Sequence, residues 1–111
     1  MDYVALGRNI RRYRRIHGLS QEQLAEQCGC SSSHIGQIEH ARGIPSLEMT
    51  VKIANALSVT ADQLLKENYS EPQKVYIKEI AERIEKYPLK KRVAVCEGLL
   101  HYLDSMEKFS E

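Results

Sequence analysis

Two groups of residues carry side chains capable of chemistry. Cys28, Cys30, His34 and His40 bring two thiols and two imidazoles into one short stretch, the raw material of a zinc site or a redox switch. Their spacing fits no standard zinc module. Nothing cationic is placed beside either thiol to lower its pKa, so a redox switch has no better support. With Cys96 the cysteines number three, odd and too few for a disulfide framework. All three are expected to be small buried hydrophobes in a reducing compartment. The second group is basic. Arg8, Arg11, Arg12, Arg14 and Arg15 crowd one short segment, although the whole chain carries a net charge of only +1. Such a local patch can steer a phosphate backbone even on a nearly neutral molecule. Arg8, Arg11, Arg12 and Arg15 are therefore either a solvated face or a phosphate-contacting one. No nucleophile pairs with a base, no two acids share a pocket, and no glycine-rich phosphate loop is present. Catalysis, a metal and a cofactor are all unexpected.

The elements that hold these residues are helices. The 111 residues are enough for one compact domain and a small appendage. A hydrophobic share of 42% with 28% charged residues describes a globular chain, and with no tryptophan and one phenylalanine its core must be largely aliphatic. Ser20 with Gln23, Thr60 with Gln63 and Ser70 with Gln73 each have the spacing of a capping box. Ser46, after Pro45, reads as another N-cap. Helix ends are expected at His17-Gly18, Gly29 and Arg42-Gly43, where glycine can take the left-handed conformation. The result is helices over 3–17, 21–28, 32–39, 46–57 and 61–66, then two longer ones over 71–86 and 89–107. Lys66-Glu67-Asn68-Tyr69 reads as a hinge or tight connection, dividing the chain into domains 1–67 and 71–108. Alternating strand patterns are absent, so the fold class is all-α. No apolar run approaches a membrane span and no signal peptide opens the chain, so a cytoplasmic protein with no membrane partner is expected.

Residues 21–40 carry the functional signal. Leu24, Ala25 and Cys28 share one face of a short helix, Gly29 makes the turn, Cys30 points inward, and Ser31 caps a second helix whose inner face is Ile35 and Ile38. Helices this short need a small residue at their crossing and a glycine between them, which Ala25 and Gly29 supply. This is a helix-turn-helix, whose second helix enters the DNA major groove.

The run LSQEQLAEQCGCSSSHIGQIE, followed by IPSLEMTVKIANALSVTADQLL, resembles the Xre/Cro family of lambda-repressor-like DNA-binding domains. The resemblance covers residues 6–65, through Ser20-Gln21-Glu22, Leu24-Ala25, Gly29, Ile35, Ile38-Glu39, Pro45-Ser46-Leu47 and Ile53-Ala54 in order. It implies a five-helix domain binding double-stranded operators, usually as a dimer and most often to repress transcription. By position, Gln21 would donate to a phosphate at a helix N-terminus. Ser32, Ser33 and Gln37 would read bases, with His34 and Gly36 flanking them, and Arg42 would reach the backbone. Arg14 and Glu39 would pair, tying the first helix to the end of the third. The family commonly has glycine where this chain has Ala41, so the loop turn is expected at Gly43 instead. Ser32 and Ser33 are short and discriminate weakly, whereas Gln37 can make the bidentate contact that adenine invites.

The last two helices are amphipathic. Tyr76, Ile77, Ile80, Ala81, Ile84 and Tyr87 make one stripe. In the final helix Val93, Cys96, Leu100 and Leu103 form one stripe and Val95, Leu99, Tyr102 and Met106 a second, more apolar width than one neighbour needs. The second stripe is the expected dimerisation surface of a C-terminal helical hairpin. A bacterial or phage transcriptional repressor acting as a homodimer on operator DNA is the leading reading. A controller protein is a neighbouring one. An antitoxin or interaction module, whose C-terminal helices bind a partner protein, is the alternative.

Overall fold

The computed structural model describes residues 1–109. Among them every regular element is helical: α1 (Tyr3–Ile16), α2 (Gln21–Cys28), α3 (Ser32–Glu39), α4 (Leu47–Ala56), α5 (Ala61–Leu65), a 3₁₀ turn (Lys66–Asn68), α6 (Pro72–Glu85) and α7 (Leu89–Phe109). The all-α class agrees with the sequence reading. No helix among the described residues is long and apolar enough to cross a membrane.

Local signals set most boundaries. The side chains of Asp2, Ser20, Ser31, Ser46 and Thr60 each accept a backbone N–H in the first turn of the helix they precede. Ser20–Gln23 and Thr60–Gln63 are reciprocal capping boxes. The expected Ser70–Gln73 box is absent because Pro72 takes the first helical position of α6, leaving Ser70 one residue too early to cap. Four helices end alike, on a left-handed residue followed by a residue whose N–H reaches back to the last turn. These bonds are Leu19 to Arg14, Cys30 to Ala25, Arg42 to Gln37 and Val59 to Ala54. The left-handed residue is Gly18 and Gly29 in two of them, but Ala41 (φ 57°) and Ser58 (φ 54°) in the others. The turn after α3 is therefore made at Ala41, not at Gly43.

The packing divides the chain into Met1–Tyr76 and a second unit from Ile77 on. In the first, Leu6, Ile10 and Tyr13 of α1 meet Leu24, Ala25 and Cys28 of α2, Ile35 and Ile38 of α3, Ile53, Ala54 and Leu57 about α4, and Leu64 of α5. α1 and α3 cross closely at Gly7: a Cβ there would lie 2.5 Å from the carbonyl oxygens of both Ile38 and Glu39. The 66–69 stretch, expected as a hinge or tight connection, is tied to the first unit at Lys66. Lys66 is fully buried, its ammonium donating to the Tyr13 hydroxyl at 3.3 Å and lying 4.1 Å from the centre of the Tyr76 ring. Asn9 donates to the Leu64 carbonyl and to Glu67, and Tyr76 donates to the other oxygen of Glu67.

In the second unit, residues 86–88 join the end of α6 to α7. Ile80, Arg83, Ile84, Tyr87, Val95 and Leu99 line a groove of about 190 Å³. Arg92 donates to the carbonyls of Glu85 and Tyr87, capping the C-terminal end of α6. No described residue beyond Lys66 is buried.

Candidate nucleic-acid interface

The α2–α3 segment is built to hold α3 against the core by one face and to leave the other clear. Gly29 (φ 69°) turns the chain, Ser31 caps α3, and Ile35 and Ile38 are buried. Positions 33, 36, 37 and 40 then share the opposite face at helical spacing. Gln21, at the first position of α2, and Arg42, fixed by its backbone bond to Gln37, complete that face. Gln21, Ser32, Ser33, Gly36, Gln37, His40 and Arg42 together line one shallow depression of about 460 Å³. Six of the seven residues expected at the DNA are thus brought together. His34 lies outside the lining, half-buried, while His40 joins it. The i, i+7 spacing from Ser33 was the signal that could have placed His40 there.

Three elements are locked beneath this surface. Arg14 Nε donates to Glu39 Oε2 at 2.6 Å and its Nη2 to Oε1 at 3.0 Å, with the Glu39 side chain fully enclosed. Arg14 Nη1 caps the carbonyl of Leu19 at 2.8 Å, and Gln21 Nε2 donates to Glu39 Oε1 at 3.2 Å. One carboxylate therefore joins α1, α2 and α3 through charge-assisted bonds. Gln21 spends one of its two amide N–H donors on Glu39, which leaves the second for a ligand. A Cβ at Gly36 would sit 3.5 Å from Gln21 Oε1, in ordinary contact, so alanine would leave this bond in place.

Among the described residues no three His, Cys, Asp or Glu side chains cluster as metal ligands. Burial raises the pKa of Cys28, with the neighbouring Cys30 adding to the rise and Lys52 opposing it, which makes Cys28 an unreactive thiol. Cys30 is half-buried against the core, but Cys96 is exposed on α7, contrary to expectation. A lone cysteine in an amphipathic stripe is buried only where that stripe packs against another element, and α6 faces the neighbouring stripe of Val95 and Leu99 instead.

Arg8, Arg11, Arg12 and Arg15, with Ile16, line a separate surface depression of about 390 Å³. None of the four has an acidic partner within ion-pair distance among the described residues. On α7, Val95 and Leu99 line the groove with α6, while Tyr102 and Met106 stay exposed.

A helix-turn-helix domain family model matches residues 5–66. The chain is similar to the control protein C.SmaI of Serratia marcescens, 40% identical over 60 residues that span 54% of this chain and 71% of that protein. It is 31% identical over 102 residues to the immunity repressor protein of Bacillus phage phi105, covering 86% of this chain and 69% of the relative. Among solved structures, the restriction-modification controller protein C.AhdI from Aeromonas hydrophila superposes with a TM-score of 0.55 at 36% identity, over 57% of this chain and 96% of that one.

Proposed function

The chain belongs to the helix-turn-helix family of lambda-repressor-like transcriptional regulators, and we propose that it represses its targets by laying α3 in the major groove of a two-fold symmetric operator. The observation that carries this reading is the convergence of Gln21, Ser32, Ser33, Gly36, Gln37 and Arg42 on one solvent-facing surface, mounted on a helix locked from behind by Arg14–Glu39. Gln37 reads a base through its amide, and Ser32 and Ser33 add weaker contacts. Gly36 and His34 flank them. Gln21 and Arg42 bind phosphates on either side of the groove and set the register without reading sequence. Glu39 and Arg14 touch no DNA; they hold α3 and the Gln21 amide in place.

A single α3 covers only a few base pairs, so we infer a homodimer held through α6 and α7, on half-sites about 10 bp or a multiple of 10 bp apart. The absence of any buried side chain among the described residues of these two helices supports the inference, because a helix pair needs an apolar face covered to be stable. The same exposed helices suit a partner protein, as in an antitoxin or interaction module. Enrichment of bound duplexes from a random pool tests the whole reading. A two-fold symmetric consensus, also found in a promoter whose transcription falls when the protein is expressed, is the expected result. No enrichment from the pool would refute DNA reading, and enrichment without symmetry would refute the dimer.

A further inference from the structure

Leu89, Val93, Cys96, Leu100 and Leu103 of α7 follow one another at intervals of four, three, four and three residues. That is the alternation of a coiled-coil seam, with Val93 and Leu100 at a positions and Leu89, Cys96 and Leu103 at d. Every one of them is exposed: Leu89 69%, Val93 48%, Leu100 62% and Leu103 51%, with Cys96 also open. The neighbouring stripe of Val95, Leu99, Tyr102 and Met106, which the sequence suggested as the dimerisation surface, is differently placed, since Val95 and Leu99 already line the groove with α6. The two stripes lie about 100° apart around the helix, the separation by which a helix of a four-helix bundle meets two different neighbours.

Resting on the homodimer reading above, we propose that this seam pairs α7 with α7 of a second copy in antiparallel orientation, so that two α6–α7 hairpins make a four-helix bundle. In an antiparallel pair, a positions pack against d positions. With the two-fold axis crossing the seam at the level of Gly98, Val93 meets the partner's Leu103 and Cys96 meets the partner's Leu100, each twice, giving four successive apolar layers. The flanking side chains favour this orientation on balance, although Glu97 opposes it. Lys90 and Asp104 lie on the same edge of the seam and come opposite each other across the axis, forming two attractive pairs. Glu97 meets its own copy. In a parallel pair Lys90 and Asp104 would not meet, and Glu97 would instead need the partner's Arg92. The Nη2 of that guanidinium already donates to the carbonyls of Glu85 and Tyr87, so only its remaining N–H groups could serve there. A parallel pair would also set Leu99 against the charge of Asp104. Gly98 sits on the outer side of the seam, where a Cβ would touch nothing.

Sedimentation of the full chain over a range of concentrations, repeated for charge variants, tests the seam. Lys90→Glu is expected to weaken the dimer about tenfold, since two pairs are reversed at once. Adding Asp104→Lys restores it, and Glu97→Gln alone tightens it. Loosening by Glu97→Gln is the parallel result and overturns the proposal. Cross-linking gives a second readout. Treated with diamide, the Leu100→Cys variant should form disulfides between Cys96 and position 100 of the partner, identified by peptide mass. In the unaltered chain Cys96 should not link to its own copy, because antiparallel packing holds the two too far apart. A dimer indifferent to these charges, or one linked Cys96 to Cys96, overturns the seam and leaves the dimer standing. An unaltered chain that is monomeric at operator-binding concentrations overturns both.

Discussion

Gly7→Ala should destabilise the protein even though it replaces a glycine inside a helix. In the interior of α1 alanine is favoured over glycine by about 1 kcal/mol. The tertiary setting reverses the sign. The new Cβ would lie 2.5 Å from the carbonyl oxygens of Ile38 and Glu39 and 2.8 Å from the Glu39 carbonyl carbon. Carbon and oxygen normally approach no closer than about 3.3 Å, so α1 and α3 must part by several tenths of an ångström or more. Both contacts are backbone, so no flexible side chain can give way. Overpacking of this kind costs about 1–3 kcal/mol. The same displacement stretches the 2.6 Å bond from Arg14 to Glu39, a pair whose full loss costs about 3–5 kcal/mol. Subtracting the helix gain leaves a net loss of about 2 kcal/mol, a fall in Tm on the order of 8–16 °C for a domain of this size. Urea and thermal unfolding at fixed protein concentration measure it, with Gly98→Ala as the control. A Cβ at Gly98 meets nothing, so the control should gain up to about 1 kcal/mol. A Gly7→Ala protein as stable as the parent, or more so, would refute the close crossing. Operator affinity should fall with it, because α3 is the element displaced.

Glu39→Ala leaves Arg14 with a buried, uncompensated charge and releases Gln21, so unfolding should register a loss of about 3–5 kcal/mol; an unchanged Tm would mean that the pair is exposed in solution. Arg42→Ala should weaken binding to every duplex alike and reduce the log–log salt slope by about one unit, and an unchanged slope would remove Arg42 from the phosphate contacts. Burial opposes the ionisation of Glu67, but hydrogen bonds from Asn9, its own backbone and Tyr76, with the charge of Lys66, outweigh it and lower its pKa. A lowered carboxylate pKa gives stability that is present above the unfolded-state value, about 4.3, and lost as pH falls through the folded-state value. Glu67→Gln should therefore flatten the acid limb of the stability profile below about pH 5; an identical limb would contradict the network.

Most of the framework was legible because it rests on local chemistry. Ser20, Ser31, Ser46 and Thr60 announce their helices through side-chain oxygens that satisfy nearby N–H groups. What stayed hidden depends on neighbours distant in sequence. Gly7 looks like a flaw in a helix until α3 is laid across it. Lys66 sits in a polar run that reads as a connector, yet Tyr13 and Tyr76 enclose its stem and cation, an arrangement assembled from residues 53 and 10 positions away. Ala41 and Ser58 show the complementary limit. Tertiary contacts on both sides of a turn can hold a non-glycine residue left-handed, so glycine marks some helix ends but not all. In the interface, the faces of α2 and α3 were legible from periodicity. The engagement of Gln21 with Glu39 was not, because it spans the turn and depends on where Arg14 presents the carboxylate. In α7 the sequence showed two stripes, and only the position of α6 distinguishes the one already facing it.

The most direct test of sequence reading by α3 is the affinity of Gln37→Ala for the enriched operator and for random duplex DNA at one salt concentration. Gln37 is exposed and lines the depression shared with Ser33 and Arg42, so its amide is free to meet a base edge. A loss of about 1–3 kcal/mol on the operator, confined to one position in each half-site, with random-DNA binding unchanged, is the predicted result. Equal loss on both duplexes, or none on either, would contradict it.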